Sequence, residues 1–127
     1  MGTTTKSRWS YAYAKALDEF MALAYFQEHK LPVIVVRFFN TVGPRQTGRY
    51  GMVIPNFVRQ ALANEEITIF GDGHQSRCFT YVGDVVHELY RHMFKTKETG
   101  LIHLGYGNPL SVKDLFERIC GSTYKAN

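Results

Sequence analysis

Cysteine is scarce in this chain: Cys78 and Cys120 are the only two, and their separation fits neither a zinc knuckle nor a disulfide framework. Free, partly buried thiols are expected. No apolar run approaches the roughly 20 residues that a membrane-spanning helix needs, and Met1 is followed by polar residues rather than by a signal-peptide core. A cytoplasmic location with no membrane partner is the resulting expectation. Charge of one sign is not concentrated either. The 15 Lys and Arg residues outnumber the 11 Asp and Glu, for a net +4, but they are scattered along the chain, so no nucleic acid is expected as partner and nucleotide phosphates would account for the excess as well. Repeats and low-complexity segments are missing too. The 45% hydrophobic and 14% aromatic residues, in a length of 127, are enough for one modest core and argue against disorder.

Residues 9–28 are rich in Ala, Leu, Met and Glu with no Gly or Pro and predict a long helix, which Ser7 or Ser10 could cap. Residues 33–39 are β-branched and aromatic, as suits a strand buried on both faces of a parallel sheet. Helix feeding strand is the αβ half of a doubly wound unit, so the fold class is α/β with a partial Rossmann-like sheet. Residues 40–51, with Gly43, Pro44, Gly48 and Gly51, read as a loop at the strand's carboxyl end, the edge where open α/β sheets bind ligands. Pro55 suits a first helical turn and residues 56–64 a short helix. Residues 67–70 look like a strand ended by Gly71-Asp72-Gly73. Residues 77–82 and 101–104 are two further strands. Between them residues 84–94 form a helix whose stripe is Val85, Val86, Leu89 and Met93. Ser111, with Asp114 three residues on, opens a last helix in the manner of a capping box. The polar tail 121–127 is expected to fray.

Tyr11 and Lys15 stand four residues apart near the start of the long helix, so both project from one face. Tyr13 points nearly the opposite way and joins Leu17, Phe20 and Ala24 as expected core. A phenol titrates near about 10 in water, and a neighbouring ammonium favours its ionised form, so the pair has a rationale as an acid/base. Tyr-x-x-x-Lys also arises by chance, and alone it would carry little.

The order of the segments further along the chain adds to it. The segments Ser7-Arg8-Trp9-Ser10-Tyr11-Ala12-Tyr13-Ala14-Lys15, Val36-Arg37-Phe38-Phe39-Asn40-Thr41-Val42-Gly43-Pro44-Arg45, Met52-Val53-Ile54-Pro55-Asn56-Phe57, Ile69-Phe70-Gly71-Asp72-Gly73-His74-Gln75-Ser76-Arg77 and Tyr81-Val82-Gly83-Asp84-Val85-Val86 resemble the extended short-chain dehydrogenase/reductase family. Within it they resemble the NAD-dependent nucleotide-sugar epimerases, dehydratases and decarboxylases. The resemblance runs from about residue 4 to residue 120, in the family's order and spacing, and the run around Phe39 favours an epimerase.

The resemblance implies that Tyr11 is the acid/base exchanging a proton with a sugar hydroxyl while Lys15 binds the nicotinamide ribose. It implies that Phe39, Thr41 and Val42 face the nicotinamide and that Asn40 bonds the substrate diphosphate, stabilisation of a turn being the lesser alternative for an Asn here. Met52 and Val53 are implied to line the nucleotide pocket, Thr68 and Phe70 to contact the base, and Arg77 to grip the diphosphate, a task suited to a planar charged fork. Arg45 is read as a surface residue nearby, and no metal is implied, so His74 is left outside the site. Phe57, Tyr81 and Tyr90 are read as packing.

A single partial domain over residues 1–127 is expected, in which 1–48 hold the catalytic helix and the strand after it, and 49–127 are mainly substrate-binding with a returning strand and helix. The family's strand, Gly-rich turn and helix for the cofactor pyrophosphate has no counterpart here, since Gly71-Asp72-Gly73 lacks the following glycine. The chain is therefore expected to be the carboxyl-terminal part of such an enzyme, inactive alone and holding NAD poorly. Its partners would be a UDP-sugar and either a second copy or an amino-terminal half, because the resemblance puts the long helix in a dimer interface and an isolated strand 33–39 would expose an edge. The alternative is a non-catalytic nucleotide-sugar-binding or assembly module.

Overall fold

The helix-forming composition after Trp9 is realised in the computed structural model, which describes residues 2–49 and 51–121, as α1, Ser10–His29. A single 3-10 turn, Ser7–Trp9, leads into it. Neither expected serine caps α1: Trp9 holds the cap position without a side-chain bond, and Ser10 Oγ donates back to Ser7 O at 2.7 Å. Lys30, at φ 55°, provides the left-handed residue that stops the helix.

Contacts divide the chain into two units, Met1–Arg37 with Tyr90–His103 and Phe38–Leu89 with Leu104–Asn127. In the first, α1 accompanies a two-stranded sheet of β1, Ile34–Phe38, and β4, Gly100–Leu104. The apolar run of β1 suggested burial on both faces, yet its residues are only half-buried or exposed. Arg37 reaches α1 through a fork, Nε to Glu19 Oε1 at 2.7 Å and Nη2 to Glu19 Oε2 at 2.5 Å. The carboxyl of Glu19 is held below its ordinary value, mainly by that hydrogen bond. Tyr13, Leu17 and Phe20, expected in a core, are 37%, 58% and 71% exposed. Helical spacing places them on one face, which stays partly to largely exposed, with Ala24 half-buried.

The second unit is built on a three-stranded sheet of β2, Asn40–Val42, β3, Ser76–Tyr81, and β5, Pro109–Ser111, in the order β2-β3-β5. β2 runs parallel to β3, with Asn40 opposite Phe79 and Val42 opposite Tyr81. β5 runs antiparallel to β3, with Arg77 opposite Leu110. Three helices follow the strands: α2, Val53–Leu62, α3, Val82–Phe94, and α4, Val112–Cys120. α2 starts earlier than composition suggested, which leaves Pro55 in the first turn, where its missing N–H costs nothing. Phe57, Val112, Leu115 and Phe116 form the core, with the Phe57 and Phe116 rings edge to face at 6.4 Å. Val85 of α3 is buried, but Val86, Met93 and the packing candidates Tyr81 and Tyr90 are exposed.

Ser111 caps α4 as its spacing predicts: Oγ accepts from Asp114 N at 3.0 Å and donates to Asp114 Oδ2 at 2.7 Å. These bonds hold the Asp114 carboxyl below its usual value. Residues 67–70 form no strand, contrary to their composition. Both cysteines are free and half-buried, and burial pushes the Cys120 thiol up. Of the tail expected to fray, residues 122–127 lie outside the described residues. No helix among the described residues is long and apolar enough to cross a membrane.

Candidate functional site

The parallel pairing of β2 with β3 sets Asn40, Thr41 and Val42 beside Phe79, Thr80 and Tyr81, at the carboxyl end of β3. The amino terminus of α2 and the irregular segment 68–70 stand around them, and together they enclose a cavity of about 580 Å³. Its lining contains Phe39, Asn40, Thr41, Val42, Met52, Val53, Thr68, Phe70 and Arg77, every residue that the resemblance nominates for this part of the chain. Most of the wall is apolar, with a few polar groups among Phe57, Phe79 and Val112, the usual make-up of a small-molecule site.

Each wall has a local cause. Asn40 lies on a strand, not in the loop expected there, and its Nδ2 donates to Cys78 O at 3.1 Å across the ladder. That bond fixes the side chain and leaves the second N–H of the amide for a ligand acceptor and its carbonyl oxygen for a ligand donor. The Phe39 ring lies over Gly105, where a Cβ would collide with it. Gln46 Nε2 donates to Thr41 O at 3.1 Å and ties down the loop after β2. Arg77 Nη1 donates to Ser76 O at 2.9 Å, and the rest of its fork is available to an anion. Phe70 is 81% exposed, a ring standing at the rim. Arg45, left aside on sequence grounds, does not line the cavity. Gln46, Asn56 and Gln75 do line it; Asn56 and Gln75 lie within the family-like segments, but the sequence assigned none of the three a role. The described residues hold no cluster of His, Cys, Asp or Glu fit for a metal.

Tyr11 and Lys15 belong to the first unit. Tyr11 is 73% exposed, and Lys15 Nζ stands 6.0 Å from the centre of its ring. The lysine is paired elsewhere, with Asp18 Oδ2 at 2.8 Å one turn further along α1. The hydrogen bond and the charge of Asp18 raise the Lys15 ammonium's pKa, with a smaller contribution from Tyr11. Sequence reading missed Asp18, although its i,i+3 spacing from Lys15 is visible in the sequence.

Comparison with known proteins adds a family to this geometry. Residues 2–104 match the model of the NAD dependent epimerase/dehydratase family. A UDP-N-acetyl-alpha-D-glucosaminuronate decarboxylase from Bacillus cytotoxicus is 39% identical over 99% of the chain, and the chain spans only 39% of that relative's length. Among solved structures, a UDP-N-acetylglucosamine 4-epimerase from Methanobrevibacter ruminantium in complex with UDP-N-acetylmuramic acid superposes with a TM-score of 0.81 at 33% identity. It is matched over 84% of this chain and 35% of its own. A dTDP-glucose 4,6-dehydratase from Bacillus anthracis in complex with NAD gives 0.80 at 30% identity, over 87% of this chain and 35% of its own. These neighbours confirm the α/β, Rossmann-like class of the fold. With a family model covering more than half of its length, the chain belongs to the NAD dependent epimerase/dehydratase family.

Proposed function

We propose that the chain carries the substrate side of an NAD-dependent nucleotide-sugar site and that its cavity takes a UDP-sugar. The observation that carries this reading is the gathering of Asn40, Met52, Val53, Thr68, Phe70 and Arg77 around one cavity. In the proposed assignment, Asn40 and Arg77 hold the diphosphate through charge-assisted hydrogen bonds. Met52, Val53, Thr68 and Phe70 receive the base. Phe39, Thr41 and Val42 face the nicotinamide. Residues 1–48 serve the cofactor side, and residues 49–127 mainly the substrate side.

Tyr11 exchanges a proton with the sugar hydroxyl, and Lys15 binds the ribose of the cofactor. Both groups are accessible on one helix, as such contacts require. Bound NAD would supply the hydride acceptor and donor. The Lys15 ammonium gives one N–H to Asp18 Oδ2 and keeps two donors for a ribose hydroxyl.

Epimerisation is the first reading, supported by the run Phe39-Asn40-Thr41-Val42 and by the epimerase among the structural neighbours. Decarboxylation is the second, favoured by the Bacillus cytotoxicus relative. Positioning the cofactor is most of what a protein contributes to this chemistry, and the sequence contains no Gly-x-Gly-x-x-Gly. The 127-residue chain is therefore proposed to turn over little or nothing by itself. Self-association through the exposed Leu17 and Phe20 of α1 is proposed as well.

Calorimetric titration with UDP, a UDP-sugar and NAD tests the assignment. Binding of UDP that falls roughly 10- to 100-fold in Arg77→Ala is the expected result. No UDP binding by the unaltered chain would end it. Steady conversion of a UDP-sugar by the pure chain, lost in Tyr11→Phe, would overturn the expectation of inactivity and favour an enzyme over a binding module. Sedimentation of Leu17→Glu/Phe20→Glu checks the association, with a lower mass than the parent expected.

A further inference from the structure

The segment 68–70 forms one wall of the cavity without belonging to a sheet, so its backbone polar groups need partners other than a ladder. Two glutamine side chains supply them. Gln60, on α2, accepts from Thr68 N through Oε1 at 3.4 Å and donates from Nε2 to Thr68 Oγ1 at 3.2 Å. Gln75 donates from Nε2 to Phe70 O at 2.7 Å. One amide therefore grips each end of a three-residue wall.

Both glutamines are themselves anchored. Gln60 lies on the helix whose first turn, Val53 and Ile54, lines the same cavity. It links that lining to the Thr68 wall. Around Gln75, the first amides of α4 bond the turn: Val112 N donates to Gln75 O and Lys113 N to Gly73 O, both at 3.0 Å. Within the turn, Gly71 and Gly73 take positive φ of 79° and 73°, and Asp72 Oδ1 accepts from His74 N at 3.0 Å. The segment is thus held from α2 on one side and from the start of α4 on the other.

We propose that Gln60 and Gln75 are positioning residues that set where Thr68 and Phe70 stand, and so set the affinity of the cavity for the base of a nucleotide but not for its diphosphate. The inference rests on the reading of this cavity as a nucleotide site. A base is recognised by the height and angle of its wall, whereas the diphosphate is held by Arg77, on the separate strand β3. The two amides also differ in what they must supply. Gln60 can keep its bond to Thr68 N with any side-chain oxygen, while Gln75 must donate to a carbonyl.

The test uses the full chain, with UDP and inorganic pyrophosphate as separate probes in calorimetry. Gln60→Met and Gln75→Met preserve side-chain length and remove the hydrogen bonds. Each is expected to weaken UDP roughly five- to tenfold, the scale of one or two lost hydrogen bonds, and to leave pyrophosphate within about twofold, as expected for a probe held by Arg77 rather than by the wall. Gln60→Glu, which retains the oxygen, is expected to bind UDP nearly as the unaltered chain does. Methionine variants that bind UDP like the parent would overturn the positioning role, as would equal weakening of UDP and pyrophosphate. An unaltered chain that binds neither probe would overturn the nucleotide reading itself, and with it the inference.

Discussion

In the unit that carries the cavity, Phe57, Val112, Leu115 and Phe116 are buried between α2 and α4. In the unit that carries Tyr11 and Lys15, no described side chain is buried, and α1 displays Tyr11, Leu17, Phe20, Met21 and Tyr25 at half-exposed or greater accessibility. The cavity unit closes a small core of its own, whereas the large apolar side chains along one side of α1 stay accessible. Stability and proposed acid/base chemistry are therefore carried by different parts of the chain.

The largest test of that contrast is a pair of truncations. Phe57→Ala should cost about 3–5 kcal/mol in denaturant unfolding, since it opens a cavity in the core, while Phe20→Ala should stay within about 0.5 kcal/mol. Equal costs would break the comparison. Amide exchange should separate the units next, with α1 opening more readily than α2 and α4 because few buried apolar contacts hold it. Exchange at one common rate would show a single cooperative unit instead.

Smaller effects sharpen the picture inside each unit. Ser111→Ala should cost about 1 kcal/mol through loss of the α4 cap. Because the folded Asp114 carboxyl titrates below its unfolded value, its contribution is present above the unfolded pKa and fades as pH falls through the folded one. The deficit of Ser111→Ala against the parent should accordingly shrink in acid. Glu19→Gln, which breaks the exposed fork to Arg37, should have the smallest effect, and salt should diminish it further.

Much of the fold was legible locally. Composition located α1, β1, α3 and β4, and Ser111 with Asp114 marked the start of α4. What failed depended on distant partners. β2 looked like a loop because only its pairing with β3 makes it a strand, and Ile67-Thr68-Ile69-Phe70 looked like a strand although it meets no ladder. Helical spacing grouped Tyr13, Leu17 and Phe20 on one face but could not say whether anything packs there. The cavity residues were recognised by resemblance rather than by periodicity. Gln46, Gln60 and Gln75 went unseen because a glutamine that bonds backbone leaves no pattern in sequence.

Gly105 shows how far the cavity's shape depends on positions remote from any ligand. It contributes no atom to the lining, yet the ring of Phe39 rests where its side chain would grow. Variation at 105 would therefore surface as a binding defect with no contact to explain it, and a search confined to ligand-touching residues would overlook its source.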